Sequence, residues 1–440
     1  MQTPANYFSF CRWDVLPFIP ENARHILTLG CGEAATEKKF RQSHDCHITG
    51  LEQNPSAVAI AKQAIDKVLE GPLQKTLPQL KDERFDCILA LDIFEHLPDP
   101  WGAIKKCSDL LTSDGVLIAS IPNINHQSIR DRLQVDIFPY EPAGILDITH
   151  FRFFTLTEIY KLFVSANLKI TQTNNFKSRS DSIQYIVKGK KLSSATSTPL
   201  TTIIIPVFNN LPLTKNCLTS IRENTKAHYR IIIVDNGSTD GTRAWLKEQP
   251  DVFHILNASN QGFAPAINQG IFCSATPSIV ILNNDTLVSP NWLTNMLAHF
   301  ITDPTRGIIG PMSNFVSGPQ LVPNLTLNSL SAVNDYSNSF YSDRQGKSND
   351  IERLVFFCAL IKKDVIEKIG KLDENFVIGN FEDDDYCRRA TAAGFKCSIA
   401  LDTFIYHKGH STFKTNNIDL NYLLHRNRAY YLKKWGGACR

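Results

Sequence analysis

Four consecutive carboxylates are candidates for acid–base chemistry. They lie in the segment NFEDDDYCRRATAAGF, where Glu382, Asp383, Asp384 and Asp385 begin a predicted helix that ends at Gly394. Acidic side chains favour helix N-termini, so part of this cluster compensates the helix dipole. Four adjacent carboxylates exceed what capping requires, and their mutual repulsion raises the pKa of at least one of them. A carboxylate with a raised pKa suits a general base that takes a proton from an acceptor hydroxyl.

Asp285 and His407 are candidate ligands for a divalent metal ion. The apolar segment SIVILNNDTLVSP predicts a strand that ends in Asn283, Asn284 and Asp285, and such side chains are costly to bury unless they meet a ligand or solvent. A carboxylate there can bind Mg²⁺ or Mn²⁺, which bridges the two phosphates of a nucleotide sugar and offsets charge on the leaving diphosphate. His407, in TFIYHKGHSTF, follows a short predicted strand and offers a neutral imidazole as a further ligand. A structural histidine is the alternative.

Two other strand ends in the same half are candidate nucleotide contacts. TTIIIPVFNN predicts a buried strand ending at Pro206, and RIIIVDNGSTDGT predicts a strand ending at Asp235. Open sheets bind ligands at the carboxyl ends of parallel strands, and an aspartate there can accept a hydrogen bond from the imide N–H of a base. The alternative for Asp235 is an aspartate that stabilises the following turn.

The N-terminal half carries a candidate nucleoside site of a different kind. HILTLGCGEAATEKKF predicts a strand, a turn at Gly30 and Gly32, and a helix, and such a turn lets a ligand approach the backbone closely. Glu52 ends the next predicted strand about twenty residues later, where a carboxylate can accept hydrogen bonds from both ribose hydroxyls. A purely structural turn is the alternative. A dinucleotide and S-adenosylmethionine compete as cofactors, and Ala35 stands where the dehydrogenase pattern has its third glycine.

Strand-like and helix-like segments alternate in both halves of the 440 residues. The alternation predicts two α/β domains with largely parallel sheets. The small, polar stretch KKLSSATSTP predicts a linker over 190–199, which gives domains of 1–189 and 200–440. The Asn- and Ser-rich stretch from Ser313 to Asp350 predicts a long surface loop of the kind that lies over a ligand.

Composition and charge restrict the classes of partner. A hydrophobic share of 43% indicates a soluble globular protein, and a net charge of +3 gives no reason to propose nucleic acid or an anionic membrane surface as the main partner. The 11 cysteines form no CxxC pair and several lie in apolar runs, which indicates core residues in a reducing compartment. No signal peptide or bilayer-spanning run is found, so the cytoplasm is the expected location. The ending RNRAYYLKKWGG predicts either a peripheral contact with a lipid-linked acceptor at the inner face of the membrane or a packed terminal helix.

Five segments of the N-terminal half occur in an order that matches a known family: LTLGCGEA, LEQNPSAVAIAK, FDCILALDIFEHLPDPW, LLTSDGVLIASIPN and DITHFRFFTLTEIYKLFVSANL. From Arg24 to Lys169 the chain resembles the class I S-adenosylmethionine-dependent methyltransferases, in particular the branch that modifies small molecules and glycans. The resemblance implies a Rossmann-like fold and S-adenosylmethionine as cofactor. It implies cofactor contacts by Gly30, Gly32, Glu52, Leu91 and Asp92. Pro72 is a departure, because the family often has an acidic residue near this position that meets the adenine amine.

A candidate base for methyl transfer lies further along the same half. The reaction is an in-line displacement at an activated sulfonium, so the protein supplies alignment and, for a hydroxyl acceptor, a general base. His150 in DITHFRFF is the candidate, and a histidine that fixes the loop before the following helix is the alternative. His96 in FEHLPDP lies at the first turn of a predicted helix, which favours a structural role.

The C-terminal motifs resemble glycosyltransferase family 2 of the GT-A fold, in the rhamnosyltransferase-like group that builds bacterial surface polysaccharides. The resemblance spans about Leu200 to Ser411 and rests on several separate motifs in the expected order. It implies that Asp285 and His407 hold the metal and that Asp383 is the catalytic base. The residues that it implies at the nucleotide pocket are Pro206, Asp235, Asn260, Gly262 and Asn284.

Three positions refine this resemblance. Glu382 is the alternative to Asp383 as the base. Arg389 falls where the group has an arginine after the acidic run, and it is implied to steady that run or the donor diphosphate. Asn283 stands where the family usually has the first aspartate of Asp-x-Asp, which places more weight on Asp285 and His407 as metal ligands.

Together the motifs predict a bifunctional enzyme of surface glycan biosynthesis. It transfers a sugar, with inversion, from a nucleotide-sugar donor to a glycan or lipid-linked glycan acceptor, and it methylates a sugar or related acceptor. One alternative is a glycosyltransferase whose methyltransferase-like domain is degenerate or structural, which Pro72 favours. Another is a catalytically dead scaffold for glycan assembly, which the intact set of Asp235, Asp285, Asp383 and His407 argues against.

Overall fold

The computed structural model describes residues 8–174, 182–192, 200–249, 251–327, 329–409 and 420–436. The chain divides into two compact units, Met1–Ala195 and Thr196–Arg440. Residues 193–199 of the predicted linker lie outside the described part of the chain. None of the helices in the described ranges combines the length and the apolar character that a bilayer crossing requires.

The first unit contains a seven-stranded sheet. Its strands are β1 (His25–Leu29), β2 (His47–Glu52), β3 (Lys67–Glu70), β4 (Phe85–Leu91), β5 (Leu111–Pro122), β6 (Leu168–Thr173) and β7 (Gln184–Lys191). They lie in the order β3-β2-β1-β4-β5-β7-β6. The first five strands pair in parallel, whereas β7 runs antiparallel to both β5 and β6. The carboxyl ends of β1, β2 and β4 therefore share one edge of the sheet.

Six described helices connect these strands. They are α1 (Ala35–Arg41), α2 (Pro55–Ala61), α3 (Leu73–Thr76), α4 (Pro100–Leu110), α5 (Gln127–Gln134) and α6 (Leu156–Ser165). The start of α2 is specified locally, because the Asn54 side chain accepts hydrogen bonds from the N–H groups of Ser56 and Ala57, and Pro55 is the first helical residue. Thr155 caps α6 in a similar way through the N–H of Glu158.

The second unit contains a nine-stranded sheet. Its strands are β8 (Thr201–Val207), β9 (Tyr229–Asp235), β10 (Val252–Leu256), β11 (Ser278–Leu282), β12 (Thr286–Val288), β13 (Arg306–Met312), β14 (Ser348–Ile351), β15 (Cys358–Lys362) and β16 (Lys396–His407). The order is β10-β9-β8-β11-β15-β13-β16-β12, and β14 pairs with β16. Strands β8 to β11 are parallel, and β15 is antiparallel to β11 and β13.

Eight described helices belong to this unit. They are α7 (Leu211–Asn224), α8 (Thr242–Lys247), α9 (Phe263–Phe272), α10 (Trp292–Thr302), α11 (Leu330–Tyr341), α12 (Lys363–Ile369), α13 (Glu382–Ala392) and α14 (Leu420–Trp435). Alternate residues of the central strands pack into two apolar layers, because successive side chains point to opposite faces of a sheet. Ile203 and Ile205 pack with Trp292 on one face, whereas Ile204 packs with Tyr386 on the other.

Two predictions about the fold can now be compared with the structure. Two α/β units are present, as predicted. The first sheet is largely parallel with an antiparallel edge formed by β7 and β6, whereas the second sheet is mixed. The predicted surface loop from Ser313 to Asp350 is partly wrong, because this stretch contains α11 and most of β14. Val333 and Phe340 of α11 are buried at a helical spacing, and Ser329 caps the helix, so the polar composition concealed an amphipathic helix.

Candidate functional sites

A cavity of about 800 Å³ lies in the second unit, at the carboxyl ends of β8 and β11. Most of the residues predicted for sugar transfer line it. Those residues are Pro206, Asn260, Gly262, Asn284, Asp285, Glu382, Asp383 and His407. Aromatic side chains form much of the remaining wall, namely Phe208, Phe263, Phe315, Phe356, Phe357 and Phe381. The cavity therefore combines a few polar groups with broad apolar surfaces, as ligand sites usually do.

Strand pairing places the two predicted metal ligands side by side. β12 runs antiparallel to β16 with Thr286 opposite His407, so that the residue before Thr286 also lies next to the histidine. His407 Nε2 is 3.2 Å from Asp285 Oδ1. Two ligand atoms at neighbouring corners of an octahedral Mg²⁺ site are about 3 Å apart, because each lies about 2.1 Å from the ion. The spacing of the pair fits a shared cation.

The environment of His407 fixes the direction in which its lone pair points. Its Nδ1 lies 2.8 Å from the carbonyl oxygen of Phe315, which can only accept, so Nδ1 carries the hydrogen. The ring also stacks on Phe357, with 5.1 Å between the ring centroids. In the neutral ring, Nε2 is then an acceptor that faces the Asp285 carboxylate. Two facing acceptors favour a cation between them, and a hydrogen bond from Nδ1 to a carbonyl oxygen is the usual way to orient a metal-binding imidazole.

Glu382 and Asp383 bring two buried carboxylates to the opposite part of the cavity wall. Asp383 accepts hydrogen bonds from the N–H groups of Asp384 (3.0 Å) and Phe356 (3.4 Å). Glu382 Oε2 is buried and has no hydrogen-bond partner among the described residues. Burial and the adjacent Asp383 carboxylate hold the pKa of Glu382 well above its usual value. Burial also raises the pKa of Asp383, but Arg353 and the two backbone donors oppose the shift.

The other two acids of the cluster have different surroundings. Asp384 also lines the cavity and pairs with Arg353 at 2.6 Å, while burial and the Asp383 carboxylate raise its pKa to about 7. Asp385 is fully buried and bonded to the C-terminal helix α14, through Lys434 at 2.7 Å and the indole N–H of Trp435 at 2.9 Å. In the first turn of α13, three carboxylates thus line the cavity and the fourth packs against α14.

Arg389 is not among the cavity-lining residues. Its Nε donates to Asp385 Oδ2 at 2.8 Å, and its two terminal nitrogens donate to the carbonyl oxygens of Ile369 and Lys371. Of the two implied roles, these contacts match the steadying of the acidic run. They occupy all three guanidinium nitrogens.

Asp235 lies next to the cavity rather than in its lining. Its Oδ2 accepts from the N–H groups of Gly237 (3.3 Å) and Ser238 (3.2 Å), which is the turn-stabilising role. Its Oδ1 is buried and has no hydrogen-bond partner among the described residues. A buried acceptor without a partner is costly, so this atom fits a donor supplied by a ligand. The two roles weighed from the sequence therefore involve different oxygens of one carboxylate.

The turn before α9 approaches the backbone of Ile378 closely. Gly262 has a φ of +97°, and a β-carbon on it would meet the backbone nitrogen of Ile378 at 3.0 Å. The Asn260 side chain accepts from the N–H of Gly262, and the Asn236 amide donates to its carbonyl. Asn284 donates to Thr214 Oγ1 at 3.0 Å, which fixes the amide beside the predicted metal ligands.

Arg353 and the loop 378–381 line the same cavity but were not predicted to do so. The loop has an unusual backbone, with positive φ at Ile378, Gly379, Asn380 and Phe381. Only Gly379 signals such a conformation in the sequence. Nothing in the local pattern around Arg353 indicates its ion pair with Asp384, because that pairing is set by the tertiary fold.

In the first unit, the turn after β1 has the geometry expected of a cofactor-binding turn. Gly30 and Gly32 have φ values of +64° and +54°. The N–H of Gly32 donates to Glu52 Oε2 at 2.9 Å, and Glu52 Oε1 accepts from the N–H groups of Gln53 and Asn54. Each oxygen of a carboxylate has two lone-pair sites, so three of the four are used and Glu52 Oε2 keeps one site for a ribose hydroxyl.

Protein atoms already lie against this turn. A β-carbon on Gly30 would meet Ile93 Cδ1 at 2.5 Å, and one on Gly32 would meet the Phe8 carbonyl oxygen at 2.7 Å. The N–H of Glu33 also donates to the Phe8 carbonyl at 2.9 Å. The segment that precedes β1 is therefore packed on the turn that the resemblance assigns to the cofactor.

Asp92 has a partner that the sequence does not indicate. β4 ends at Leu91, and Asp92 follows with a φ of +55°. Its Oδ2 pairs with Arg12 at 2.6 Å, and Arg12 also donates to Ser120 Oγ at 3.0 Å. Arg12 is buried, so this pair joins the N-terminal segment firmly to the ends of β4 and β5. Pro72, the departure from the family pattern, is the N-cap of the short helix α3.

A second cluster of the first unit contains Glu95, His96 and His150. One ligand atom from each of the three lies within 4.8 Å of the others, a spacing that can hold a metal ion. The two imidazole rings meet edge to face, with 4.7 Å between their centroids. Both carboxylate oxygens of Glu95 are buried and lack a hydrogen-bond partner in the described part of the chain. Burial and Asp92 hold the pKa of Glu95 well above its usual value.

Both histidines of this cluster are oriented by carbonyl groups. His150 Nδ1 lies 3.1 Å from the Ile145 carbonyl, and His96 Nδ1 lies 3.3 Å from that of Thr149. Burial lowers the pKa of His150, which favours its neutral form. His96, which the sequence pattern assigned to a structural role, thus shares a cluster with the predicted base. The structural contact predicted as the alternative for His150 is also present.

Comparison with known protein families gives one match in each unit. Residues 202–370 match the model of Glycosyl transferase family 2, and residues 27–119 match the model of a Methyltransferase domain. With the sheet orders above, these matches confirm the predicted layout of a Rossmann-like methyltransferase fold followed by a GT-A fold. Glu382, Asp383 and His407 lie beyond the end of the glycosyl transferase match.

Individual relatives are similar to one unit at a time. Glycosyltransferase AglE of Haloferax volcanii is 26% identical over 215 residues, which are 48% of this chain and 67% of that protein. Ubiquinone biosynthesis O-methyltransferase of Haemophilus ducreyi is 31% identical over 109 residues, which are 23% of this chain and 46% of that protein. The chain thus spans less than half the length of this methyltransferase.

A solved structure of a mannosyltransferase, PcManGT from Pyrobaculum calidifontis in complex with GDP-Man and Mn²⁺, also resembles this chain. It is 19% identical, and the alignment covers 55% of this chain and 66% of that one with a TM-score of 0.39.

Proposed function

We propose that this chain, which carries a methyltransferase domain followed by a family 2 glycosyltransferase domain, transfers a sugar and methylates a related acceptor in the biosynthesis of a surface glycan. One observation carries the glycosyl-transfer part. The Asp285–His407 pair and the Glu382–Asp383 pair, which are far apart in sequence, line the same cavity of about 800 Å³. A metal-binding group and a base on one cavity are what transfer from a nucleotide sugar requires.

Asp285 and His407 are the residues that would hold a divalent cation. The cation supplies positive charge against the two phosphates of the donor and against the charge that develops on the leaving diphosphate. Asp285 Oδ1 and His407 Nε2 are the atoms that would bind it. Asp235 Oδ1 is suited to an N–H of the donor base, and the Asn260–Gly262 turn presents backbone to the nucleotide.

Asp383 is the residue that would remove the proton from the acceptor hydroxyl. The acceptor oxygen attacks the anomeric carbon on the side opposite the nucleoside diphosphate, the bond to the diphosphate breaks, and the configuration inverts. Two backbone N–H groups donate to the Asp383 carboxylate, whereas Glu382 Oε2 has no hydrogen-bond partner among the described residues. Hydrogen bonds to a carboxylate favour its charged form, so Asp383 is the better candidate for the base.

The direct test is a screen of nucleotide sugars against the purified chain. We expect one donor to raise the thermal unfolding temperature in the presence of Mn²⁺ and not in its absence, because the metal and the diphosphate bind together. The same donor should then support metal-dependent transfer, or slow hydrolysis to the free sugar. A chain that neither binds nor hydrolyses any nucleotide sugar with Mn²⁺ would be the catalytically dead scaffold.

For methyl transfer, we place the acceptor beside Glu95, His96 and His150. The three residues fit a divalent cation, which supplies positive charge that favours ionisation of an acceptor hydroxyl. Glu95 supports this proposal because its buried oxygens otherwise remain without partners. S-adenosylmethionine fits the Gly30–Gly32 turn and the Glu52 carboxylate, provided that Phe8 and Ile93 move from the positions described above.

The packing of Phe8 and Ile93 on the glycine turn favours a second candidate, a glycosyltransferase with a structural methyltransferase-like domain. Titration calorimetry with S-adenosylmethionine separates the two. Binding at micromolar concentrations supports the bifunctional enzyme, and its loss in Glu52→Gln would assign the site. No heat of binding, in a preparation that still binds its nucleotide sugar, supports the second candidate.

We further propose that the chain acts in the cytoplasm, peripherally at the inner face of the membrane, on a lipid-linked glycan. The support is the exposed face of α14, which presents Tyr422, Arg426 and Arg428 near Leu424 of the cavity wall. Basic and aromatic side chains together suit an anionic membrane interface. Sedimentation with vesicles that contain an anionic lipid tests this placement, with neutral vesicles as the control.

A further inference from the structure

The backbone that leads into α13 is held in an unfavourable conformation. Ile378, Gly379, Asn380 and Phe381 have φ values of +66°, +141°, +77° and +72°. Three of these residues carry a β-carbon. Asparagine adopts a positive φ fairly readily, but for Phe381 and above all for the β-branched Ile378 this conformation is costly. Such strain persists only where the surrounding structure enforces it, and it often occurs at functional sites.

Asn427, on α14, makes the contacts that enforce this conformation. The residue is completely buried, and its Nδ2 lies 3.1 Å from the Val377 carbonyl, 2.8 Å from that of Gly379 and 3.2 Å from that of Asn380. Because all three partners can only accept, the atom that faces them is the amide nitrogen. One side chain therefore contacts three carbonyls within four consecutive residues.

The left-handed turn and Asn427 depend on each other. Positive φ values turn the carbonyls of Gly379 and Asn380 towards α14, where buried oxygens need donors. On the other side, the N–H of Phe263 donates to the Ile378 carbonyl at 3.2 Å. The loop is thus held between α9 and α14, and its next two residues are Glu382 and Asp383.

The remaining contacts of α14 are made further along the helix. Tyr430 Oη and Lys434 Nζ donate to Asp373 Oδ2 at 3.0 and 2.6 Å. Lys434 and Trp435 bind Asp385, as described above. These contacts hold α14 to the segments on either side of the strained loop. At the loop itself, the Tyr431 ring lies near that of Phe381, with 5.9 Å between the ring centroids, and Asn427 supplies the hydrogen bonds to the loop backbone.

We propose that Asn427 is a positioning residue of the sugar-transfer site: its amide holds residues 377–381 in the left-handed turn that directs Asp383 into the cavity. The helix α14 is thereby part of the active site, although it lies beyond the matched glycosyl transferase region. The proposal rests on the proposed function in so far as Asp383 is the base. Asn427 acts through the backbone and contacts neither substrate.

Two variants of Asn427 test the loss of its amide donor at two levels of severity. Asn427→Ser keeps one hydroxyl donor in place of the amide, and Asn427→Asp replaces the donor by a carboxylate of nearly the same shape. We expect kcat for sugar transfer to fall about tenfold in Asn427→Ser and at least a hundredfold in Asn427→Asp, because a small misplacement of a catalytic group is costly. The KM for the nucleotide sugar should stay within about threefold, since the metal ligands are not displaced.

Tyr430→Phe is the matched control on the same helix. It removes a hydrogen bond to Asp373 and leaves the contacts of Asn427 in place, so kcat should stay within about twofold of the unmodified chain. If Tyr430→Phe and Asn427→Ser reduce kcat equally, α14 acts only by stabilising the fold and the proposal is overturned. An unchanged kcat in Asn427→Ser overturns it as well.

Amide hydrogen exchange gives a measurement that does not depend on the reaction. Peptides that cover residues 377–383 should exchange at least tenfold faster in Asn427→Ser than in the unmodified chain, and unchanged in Tyr430→Phe. Faster exchange in a chain that transfers no sugar would retain the positioning role while the proposed function fails. Equal exchange in all three proteins would overturn the positioning role even if transfer were lost.

Discussion

The two candidate sites differ in what already occupies the space beside the predicted residues. In the second unit, most of the predicted residues surround a cavity, and the buried atoms Asp235 Oδ1 and Glu382 Oε2 lack hydrogen-bond partners in the described structure. In the first unit, the Gly30–Gly32 turn is in contact with Phe8 and Ile93, and Arg12 pairs with Asp92. The second site is therefore arranged to receive a ligand, whereas the first must move protein atoms to admit one.

This difference shows that a motif and a site are separate properties. The glycine turn, Glu52 and the strand end at Asp92 adopt the conformations that the methyltransferase resemblance implies, yet those conformations alone do not create space for a cofactor. In the glycosyltransferase unit the motifs and the space coincide. Each prediction below tests one side of this comparison.

The largest effect is expected from Asp383→Asn. The amide cannot take a proton, so transfer should fall by about 10²–10⁴-fold, the usual contribution of a general base. Donor binding with Mn²⁺, measured by calorimetry, should be unchanged, because Asp385 and Arg389 still hold α13. The control is Asp364→Asn, which removes an exposed carboxylate from α12. Unchanged turnover in Asp383→Asn would show that the cavity has been assigned the wrong base.

Much of the second site could be predicted because strand ends are local features. An apolar run followed by Asn283, Asn284 and Asp285 places Asp285 at the edge of the sheet without any knowledge of the fold. The position of His407 depends on the pairing of β12 with β16, which joins residues far apart in the chain. Only the resemblance to a known family indicated that the two would meet.

Other parts of the sites could not be predicted, because they depend on which way a helix turn faces. The sequence does not distinguish the four acids of α13. In the structure, α14 binds Asp385, whereas Glu382, Asp383 and Asp384 line the cavity. Arg12 and His96 were missed for a related reason. Their partners come from other elements of the sheet edge, so no spacing within one segment reveals them.

The second prediction concerns the contact between Phe8 and the glycine turn. Gly32→Ala introduces a β-carbon at a φ of +54° and 2.7 Å from the Phe8 carbonyl oxygen. The backbone cost alone is about 1–3 kcal/mol of unfolding free energy, and displacement of Phe8 adds to it. The loss of unfolding free energy is measured by chemical denaturation, with a signal that reports on the unfolding of the first unit.

Gly144→Ala isolates the contribution of the contact. Gly144 also has a positive φ, +95°, but a β-carbon there meets nothing within 4 Å. We expect Gly144→Ala to show the backbone cost alone and Gly32→Ala to exceed it. Equal losses in the two variants would mean that the segment before β1 is not packed on the turn, and the comparison between the two units would then fail.

A buried carboxylate next to the same turn provides the third prediction. Glu37, on α1, is fully buried, and burial raises its pKa to about 7 from 4.5. The folded state therefore binds the proton more tightly than the unfolded state, so the stability of the first unit decreases as the pH rises from about 4.5 to about 7. The full change is about 3 kcal/mol in unfolding free energy. Glu37→Gln should remove this dependence and be more stable than the unmodified chain at pH 8.

Denaturation at pH 5 and at pH 8 tests the third prediction, and Glu33→Gln is a control at the same turn, because Glu33 is less buried than Glu37. A pH dependence that persists in Glu37→Gln would assign it to another group. If S-adenosylmethionine binds, we expect that this stabilisation does not improve its affinity, since Glu37 is not one of the predicted cofactor contacts.

The smallest effect is expected from Asn283→Asp, which restores the aspartate that the family usually has at this position. Asn283 lines the cavity and precedes Asn284 and Asp285, so a carboxylate there adds charge beside the predicted metal pair. We expect the Mn²⁺ concentration for half-maximal transfer to fall by about threefold to tenfold, because the affinity of an oxygen-ligand site rises with the number of charged ligands. Asn349→Asp, which adds the same charge to an exposed position on β14, should leave that concentration unchanged.

In the unmodified chain the side chain at position 283 is an uncharged amide. We therefore expect Asp285 and His407 to bind the ion with moderate affinity, because no carboxylate at position 283 assists them. If Asn283→Asp left the Mn²⁺ requirement unaltered, a side chain at this position would not reach the metal, and the departure from the family pattern would have no effect on metal binding.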